Sequence, residues 1–146
     1  MELVYRRAVP DDAGILARLR VEFVRIVKDS GLPDEAGYEK AIARYFERGM
    51  ARDKIIAWLC LDGGEAVASM ALRLDKGGRG YVMSVYTRPP SRRRGIASRL
   101  LNLLLEESRA RGLGRLSLHP TADGLPLYLR FGFKPFRTVM ILRLAP

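Results

Sequence analysis

Tyr81 to Arg111, YVMSVYTRPPSRRRGIASRLLNLLLEESRAR, is the stretch on which the reading of this chain turns. It begins as an alternating, β-rich run (Tyr81, Val82, Met83, Val85, Tyr86) and breaks at Pro89 and Pro90, two successive residues without a backbone N–H. That pattern predicts a strand ending in a stiff loop. Arg92, Arg93, Arg94 and Gly95 come next. Ile96, Leu100, Leu101, Leu104 and Leu105 then repeat at spacings of one, three and four, the apolar stripe of an amphipathic helix. The basic loop therefore sits at a helix N-terminus. Unpaired N–H groups, the positive end of the helix dipole and the guanidinium groups together favour a bound polyanionic phosphate there. Gly95 lets a ligand come close to the backbone, and Ala97 adds almost no bulk.

Arg92-x-x-Gly95-x-Ala97 resembles the Gln/Arg-x-x-Gly-x-Gly/Ala signature of the GCN5-related N-acetyltransferases, whose loop holds the pyrophosphate of acetyl-coenzyme A. A second segment, Leu127-Tyr128-Leu129-Arg130-Phe131-Gly132-Phe133, is similar to the Leu-Tyr-x-x-x-Gly-Phe segment of the same family. Taken singly, each has an ordinary alternative: a solvated basic loop before a core helix, and a glycine that merely caps a helix. The order of elements joins them. Strand, basic glycine loop, amphipathic helix, short strand, short helix and Tyr-x-x-x-Gly-Phe match the family's sequence closely over residues 81–135, and residues 1–80 match in layout only.

The resemblance implies roles for named residues. Backbone groups of Val85, Tyr86 and Thr87 would orient the acyl arm, and Arg92, Arg93, Arg94, Gly95, Ile96, Ala97 and Ser98 would hold the diphosphate. Tyr128 aligns with the family's tyrosine, the expected general acid. A tyrosine with an ordinary pKa near 10 is protonated at neutral pH and can donate to a departing thiolate. Its alternative is a core aromatic. Family members often carry a glutamate on the strand corresponding to Tyr81–Thr87, and this strand has no acid or histidine. His119, the only histidine, closes the next strand and is a candidate base, since an imidazole titrates near 6.5. Glu22, on the first helix, is a second candidate. Thr121 stands where the family usually has a coenzyme-contacting asparagine; its hydroxyl would replace that contact or cap the adjoining helix.

Composition bounds the rest. With 146 residues, the chain is expected to form one domain over residues 1–146. No apolar run approaches the ~18 residues of a bilayer span, and the amino-terminal MELVYRRAVPDD lacks the apolar core of a signal peptide, so a cytoplasmic location without membrane attachment is expected. The single cysteine, Cys60, excludes an intrachain disulfide and a cysteine-based metal site, and it falls in the apolar run IIAWLCL as a core thiol. No metal is expected. The net charge of +10 is spread along the chain without a zinc pattern or an RNA-binding motif, which disfavours a nucleic-acid partner.

In order, the chain reads as a strand over Leu3–Ala8 and a helix carrying Ile15, Leu16, Leu19, Phe23, Ile26 and Val27. A second helix runs from Glu35 to Arg48 and stops at Gly49. Strands are expected at Ile55–Leu61, Glu65–Leu74 and Tyr81–Thr87, then the long helix, a strand at Leu116–His119, a short helix, and strands at Phe133–Phe136 and Val139–Leu144. The expected fold is α/β (α+β): a mixed, largely antiparallel sheet with helices on both faces, with the strands at Tyr81–Thr87 and Leu116–His119 parallel because a helix joins them. The expected activity is direct acetyl transfer from acetyl-CoA to an amine-bearing acceptor. The alternative is a non-catalytic acyl-CoA-binding or regulatory domain. Sequence leaves the acceptor and the oligomeric state open, a homodimer included.

Overall fold

The computed structural model describes residues 2–29 and 31–144. Its strands are β1 (Leu3–Arg7), β2 (Ile55–Asp62), β3 (Glu65–Asp75), β4 (Arg79–Thr87), β5 (Arg115–Leu118), β6 (Lys134–Phe136) and β7 (Val139–Arg143). Helices α1 (Ala13–Val27) and α2 (Glu35–Ala51) come after β1, α3 (Ile96–Ala110) joins β4 to β5, and α4 (Leu125–Arg130) precedes β6. The strands form one sheet in the order β1-β2-β3-β4-β5-β7-β6. Every neighbouring pair is antiparallel except β4 and β5, whose helical crossover makes them parallel, as predicted.

Helices cover both faces of the sheet. Ile55, Ala57 and Leu59 of β2 cluster with Leu16, Leu19 and Phe46 from α1 and α2, whereas Ile56, Trp58 and Cys60 cluster with Leu100, Leu101 and Leu104 from α3. Burial on both faces is why β2 reads as a continuous apolar run instead of an alternating one. Cys60 is wholly buried, and burial raises its thiol pKa, which makes it an inert core residue.

Most strand boundaries shift by one or two residues from the sequence reading, and two differences have a physical or functional meaning. Helix α2 runs through Gly49 to Ala51, because what the glycine provides is close approach: a Cβ there would run into the Ile55 side chain. Strand β5 ends at Leu118, so His119 lies one residue beyond it.

Candidate functional site

β4 and β5 pair only over Arg79–Tyr81 with Arg115–Ser117. β4 continues to Thr87, so Val82 to Thr87 has no partner on the β5 side. A β-bulge widens the parting: the β3–β4 register shifts between Ser69 and Ala71, and Ser84 takes a left-handed backbone with φ 52°. For a residue with a Cβ this conformation costs roughly 1–2 kcal/mol. The buried Ser69 Oγ, which donates to the Ser84 carbonyl at 2.9 Å, offsets part of that cost. A bulge bends its strand and re-aims the residues beyond it, here Val85, Tyr86 and Thr87. The result is a cavity of ≈1030 Å³ running through the gap between α1 and α2 on one side and α3 and α4 on the other.

The basic loop forms one end of this cavity. Arg93 (φ 65°) and Gly95 (φ 75°) are both left-handed, which coils the loop tightly ahead of α3. An added Cβ at Gly95 would meet nothing, so it is the backbone angle that favours glycine there. The first N–H of α3 to find a helical acceptor is that of Arg99, on Gly95 O at 3.1 Å. Those of Arg93, Arg94, Gly95, Ile96, Ala97 and Ser98 donate to no described residue. Arg92 lines the cavity and donates through Nε to Thr87 O at 3.0 Å, which ties the loop to the end of β4. Arg94 turns away instead. Its guanidinium pairs with Asp62 at 2.7 Å, outside the cavity lining, so two of the three arginines that the sequence singled out line the cavity.

Tyr128 enters from α4. The helix ends in a Schellman cap, with Phe133 N–H on Tyr128 O at 3.0 Å and Gly132 N–H on Leu129 O at 3.1 Å, and Gly132 at φ 93°. The cap accounts for the Tyr-x-x-x-Gly-Phe spacing, since it brings the Tyr128 and Phe133 rings edge to face with centroids 5.8 Å apart. Tyr128 is 4% exposed, yet its hydroxyl donates to no described residue and the side chain lines the cavity. Burial, helped by the neighbouring Tyr81 hydroxyl, pushes its pKa up to about 12. Gly124 supports the ring. A Cβ there would sit 2.9 Å from Tyr128 Cε2 and 3.3 Å from Thr121 Oγ1. Sequence reading missed this position, because no pattern announces a close approach four residues away.

The remaining candidates separate. Glu22 does not line the cavity; Arg88 grips both its carboxylate oxygens, at 2.9 and 2.8 Å, and also pairs with Glu65 at 2.7 Å. The guanidinium occupies both oxygens of this carboxylate and latches α1 to the end of β4. His119 does line the cavity, with Nδ1 2.5 Å from the Tyr81 hydroxyl. Tyr81, which the sequence offers only as a strand residue, thus joins the site. Thr121 also lines it, and its Oγ1 accepts from Gly124 N–H at 3.2 Å. Its own proton stays free to donate. Among the described residues no His, Cys, Asp and Glu groups gather as metal ligands, and no helix is long and apolar enough to cross a membrane.

No curated protein matches the sequence significantly. Solved structures do match the fold. A predicted acetyltransferase with acetyl-CoA from Clostridium acetobutylicum superposes with a TM-score of 0.82 at 25% identity, over 93% of this chain and 92% of that one. A GCN5-related N-acetyltransferase from Ralstonia eutropha JMP134 gives 0.80 at 25% identity, over 99% and 98%. A paia N-acetyltransferase from Thermoplasma acidophilum in complex with coenzyme A gives 0.77 at 15% identity, over 99% and 100%, a likeness of fold alone. The sequence model of the acetyltransferase (GNAT) family matches residues 22–133, which takes in the first helix from Glu22 on, the parted strands, the coiled basic loop and the capped tyrosine helix. On that match, this chain is a member of the GNAT acetyltransferase family.

Proposed function

We propose that the chain, as one catalytic domain, transfers an acetyl group from acetyl-CoA directly to an amine. The observation that carries this reading is the continuity of one cavity from the parted strands to the unpartnered N–H groups of Arg93–Ser98, with the Tyr128 side chain on its wall. The loop would hold the diphosphate by backbone N–H groups with Arg92 and Arg93 alongside, and Val85–Thr87 would align the acyl arm.

The chemistry balances with few parts. The amine lone pair attacks the thioester carbon and a C–N bond forms; collapse breaks the C–S bond, the nitrogen gives up one proton and the sulfur gains one. Tyr128 supplies the proton to sulfur. A pKa of about 12 makes it a weaker acid than a free tyrosine. It also guarantees the protonated form at neutral pH, and the same dry surroundings raise the basicity of the thiolate. His119 takes the proton from nitrogen. For Nε2 to be the acceptor, Nδ1–H must donate to the Tyr81 oxygen, so Tyr81 holds the productive tautomer.

Calorimetric titration with coenzyme A, then thiol release across a panel of amines, tests the proposal. Binding with amine-dependent release is expected, and Tyr128→Phe should lower turnover roughly 10²-fold at unchanged coenzyme affinity. Binding with no release from any amine class would favour the non-catalytic alternative; a Tyr128→Phe rate above about a third of the parent, with an acceptor for which chemistry is limiting, would remove the general-acid role.

A further inference from the structure

The wall of the cavity formed by α1 and α2 has a chemistry of its own. Arg20, one turn before Phe23 on α1, lies over the Phe23 ring at 5.3 Å, and Phe23 meets Tyr86 of β4 edge to face at 6.1 Å. Arg20 Nε donates to the Tyr38 hydroxyl of α2 at 3.2 Å, so the guanidinium is held on one edge and one face. Its two terminal nitrogens donate to no described residue, and no described carboxylate pairs with it. Arg20 lines the cavity and belongs to one stacked column with Tyr86 of the strand that would carry the acyl arm. The rest of the lining that α1 and α2 contribute is apolar or aromatic, and Ile26, Val27 and Tyr45 line the cavity although they are 48%, 51% and 41% exposed. The sole acid in the lining is Asp123, which sits on the opposite side, beside Thr121 and Gly124.

A held guanidinium with two free donors is matched by a carboxylate, which it can bind through both oxygens. An apolar rim beside it is matched by a hydrocarbon or aromatic body. Nothing on this wall would pair with a second cation, so polyamines, aminoglycosides and lysine-rich tails find no counter-charge there. Resting on the acetyltransferase reading above, we infer that the acceptor is a small amino carboxylate with an apolar or aromatic side chain. Arg20 binds its carboxylate, and its amine is directed at the thioester.

The test compares L-phenylalanine with phenethylamine, which has the same body without the carboxylate, and with spermidine, each at equal concentration of free amine base. In the parent protein kcat/KM for L-phenylalanine should exceed that for phenethylamine by about tenfold or more, with spermidine poorest. In Arg20→Met the ratio of the two should fall toward one through the KM for L-phenylalanine, and Arg20→Lys should restore part of it. Because Arg20 touches Phe23 and Tyr38, a binding readout on the parent stands beside the variants: with coenzyme A saturating, L-phenylalanine should bind more tightly than phenethylamine by calorimetry. Phenethylamine equal to L-phenylalanine in the parent, spermidine as the best acceptor, or an Arg20→Met loss common to both substrates would each overturn the inference. Failure of coenzyme A to bind would overturn the acetyltransferase reading and this inference with it, whereas coenzyme binding with polyamine turnover would overturn this inference alone.

Discussion

Gly124→Ala separates a positioned tyrosine from a merely packed one. Gly124 has φ −84° and ψ −18°, a helical backbone any residue adopts, so alanine brings no strain of its own. By restricting the unfolded chain it would even stabilise by about 0.4–1 kcal/mol. Against this, the new methyl would sit 2.9 Å from Tyr128 Cε2 and 3.5 Å from Cζ. Carbon atoms settle at about 3.5–4.0 Å, so the buried ring must retreat by roughly 0.6–1 Å. That is the scale of misplacement that costs up to about 10²-fold in rate when a reacting group is aligned. Turnover should therefore fall about 10- to 100-fold, while coenzyme affinity, which the proposed function assigns to the loop at the other end of the cavity, stays within a few-fold. The melting temperature should hardly move. If Gly124 acts through the Tyr128 hydroxyl, the double variant Gly124→Ala/Tyr128→Phe should be no slower than Tyr128→Phe alone. The assay is single-turnover thiol release with calorimetric coenzyme binding on the same preparations. A Gly124→Ala protein with parental turnover and an unshifted ring, or a double variant slower by the product of the two single losses, would refute the positioning account.

Gly95→Glu should cost roughly 1–2 kcal/mol of stability, since φ 75° is unfavourable for a residue with a Cβ, and should abolish measurable coenzyme A binding by setting a carboxylate where phosphate belongs; near-parental affinity in a folded variant would sink the phosphate assignment. Glu22→Gln should lower the melting temperature, because it breaks a bidentate pair to Arg88, yet leave turnover within a few-fold; a loss of 10²-fold or more would restore Glu22 as the base. The Tyr128 pKa of about 12 in the folded state lies above the ~10 of an unfolded tyrosine. Its contribution to stability is therefore intact below pH ~10 and is lost as pH rises from ~10 through ~12, by about 2–3 kcal/mol in all. Chemical denaturation of the parent and of Tyr128→Phe across that window should show the parent losing more, and parallel curves would argue against the raised pKa.

How far the chain could be read without its structure depends on the range of the interactions involved. The stripe of α3, the apolar run of β2 and the glycine after α4 are recorded in neighbouring residues, since helix periodicity, two-sided burial and a Schellman cap act within a few positions. The Tyr-x-x-x-Gly-Phe segment is legible for the same reason: its spacing is the spacing of the cap. The basic loop was legible as a glycine-bearing turn at a helix N-terminus, but the direction of each arginine was not. Arg94 pairs with Asp62 on β2, and Glu22 with Arg88, because the fold brings distant segments side by side, and no local pattern encodes that meeting. The same holds for Tyr81 beside His119 and for the Tyr86–Phe23–Arg20 column. The bulge at Ser84 leaves no mark either, as its strain sits on a serine and is offset by Ser69 of another strand. The amino-acid order by itself determined the elements and their family resemblance through contacts made along the chain; which side chains share the cavity was decided only by contacts made across it.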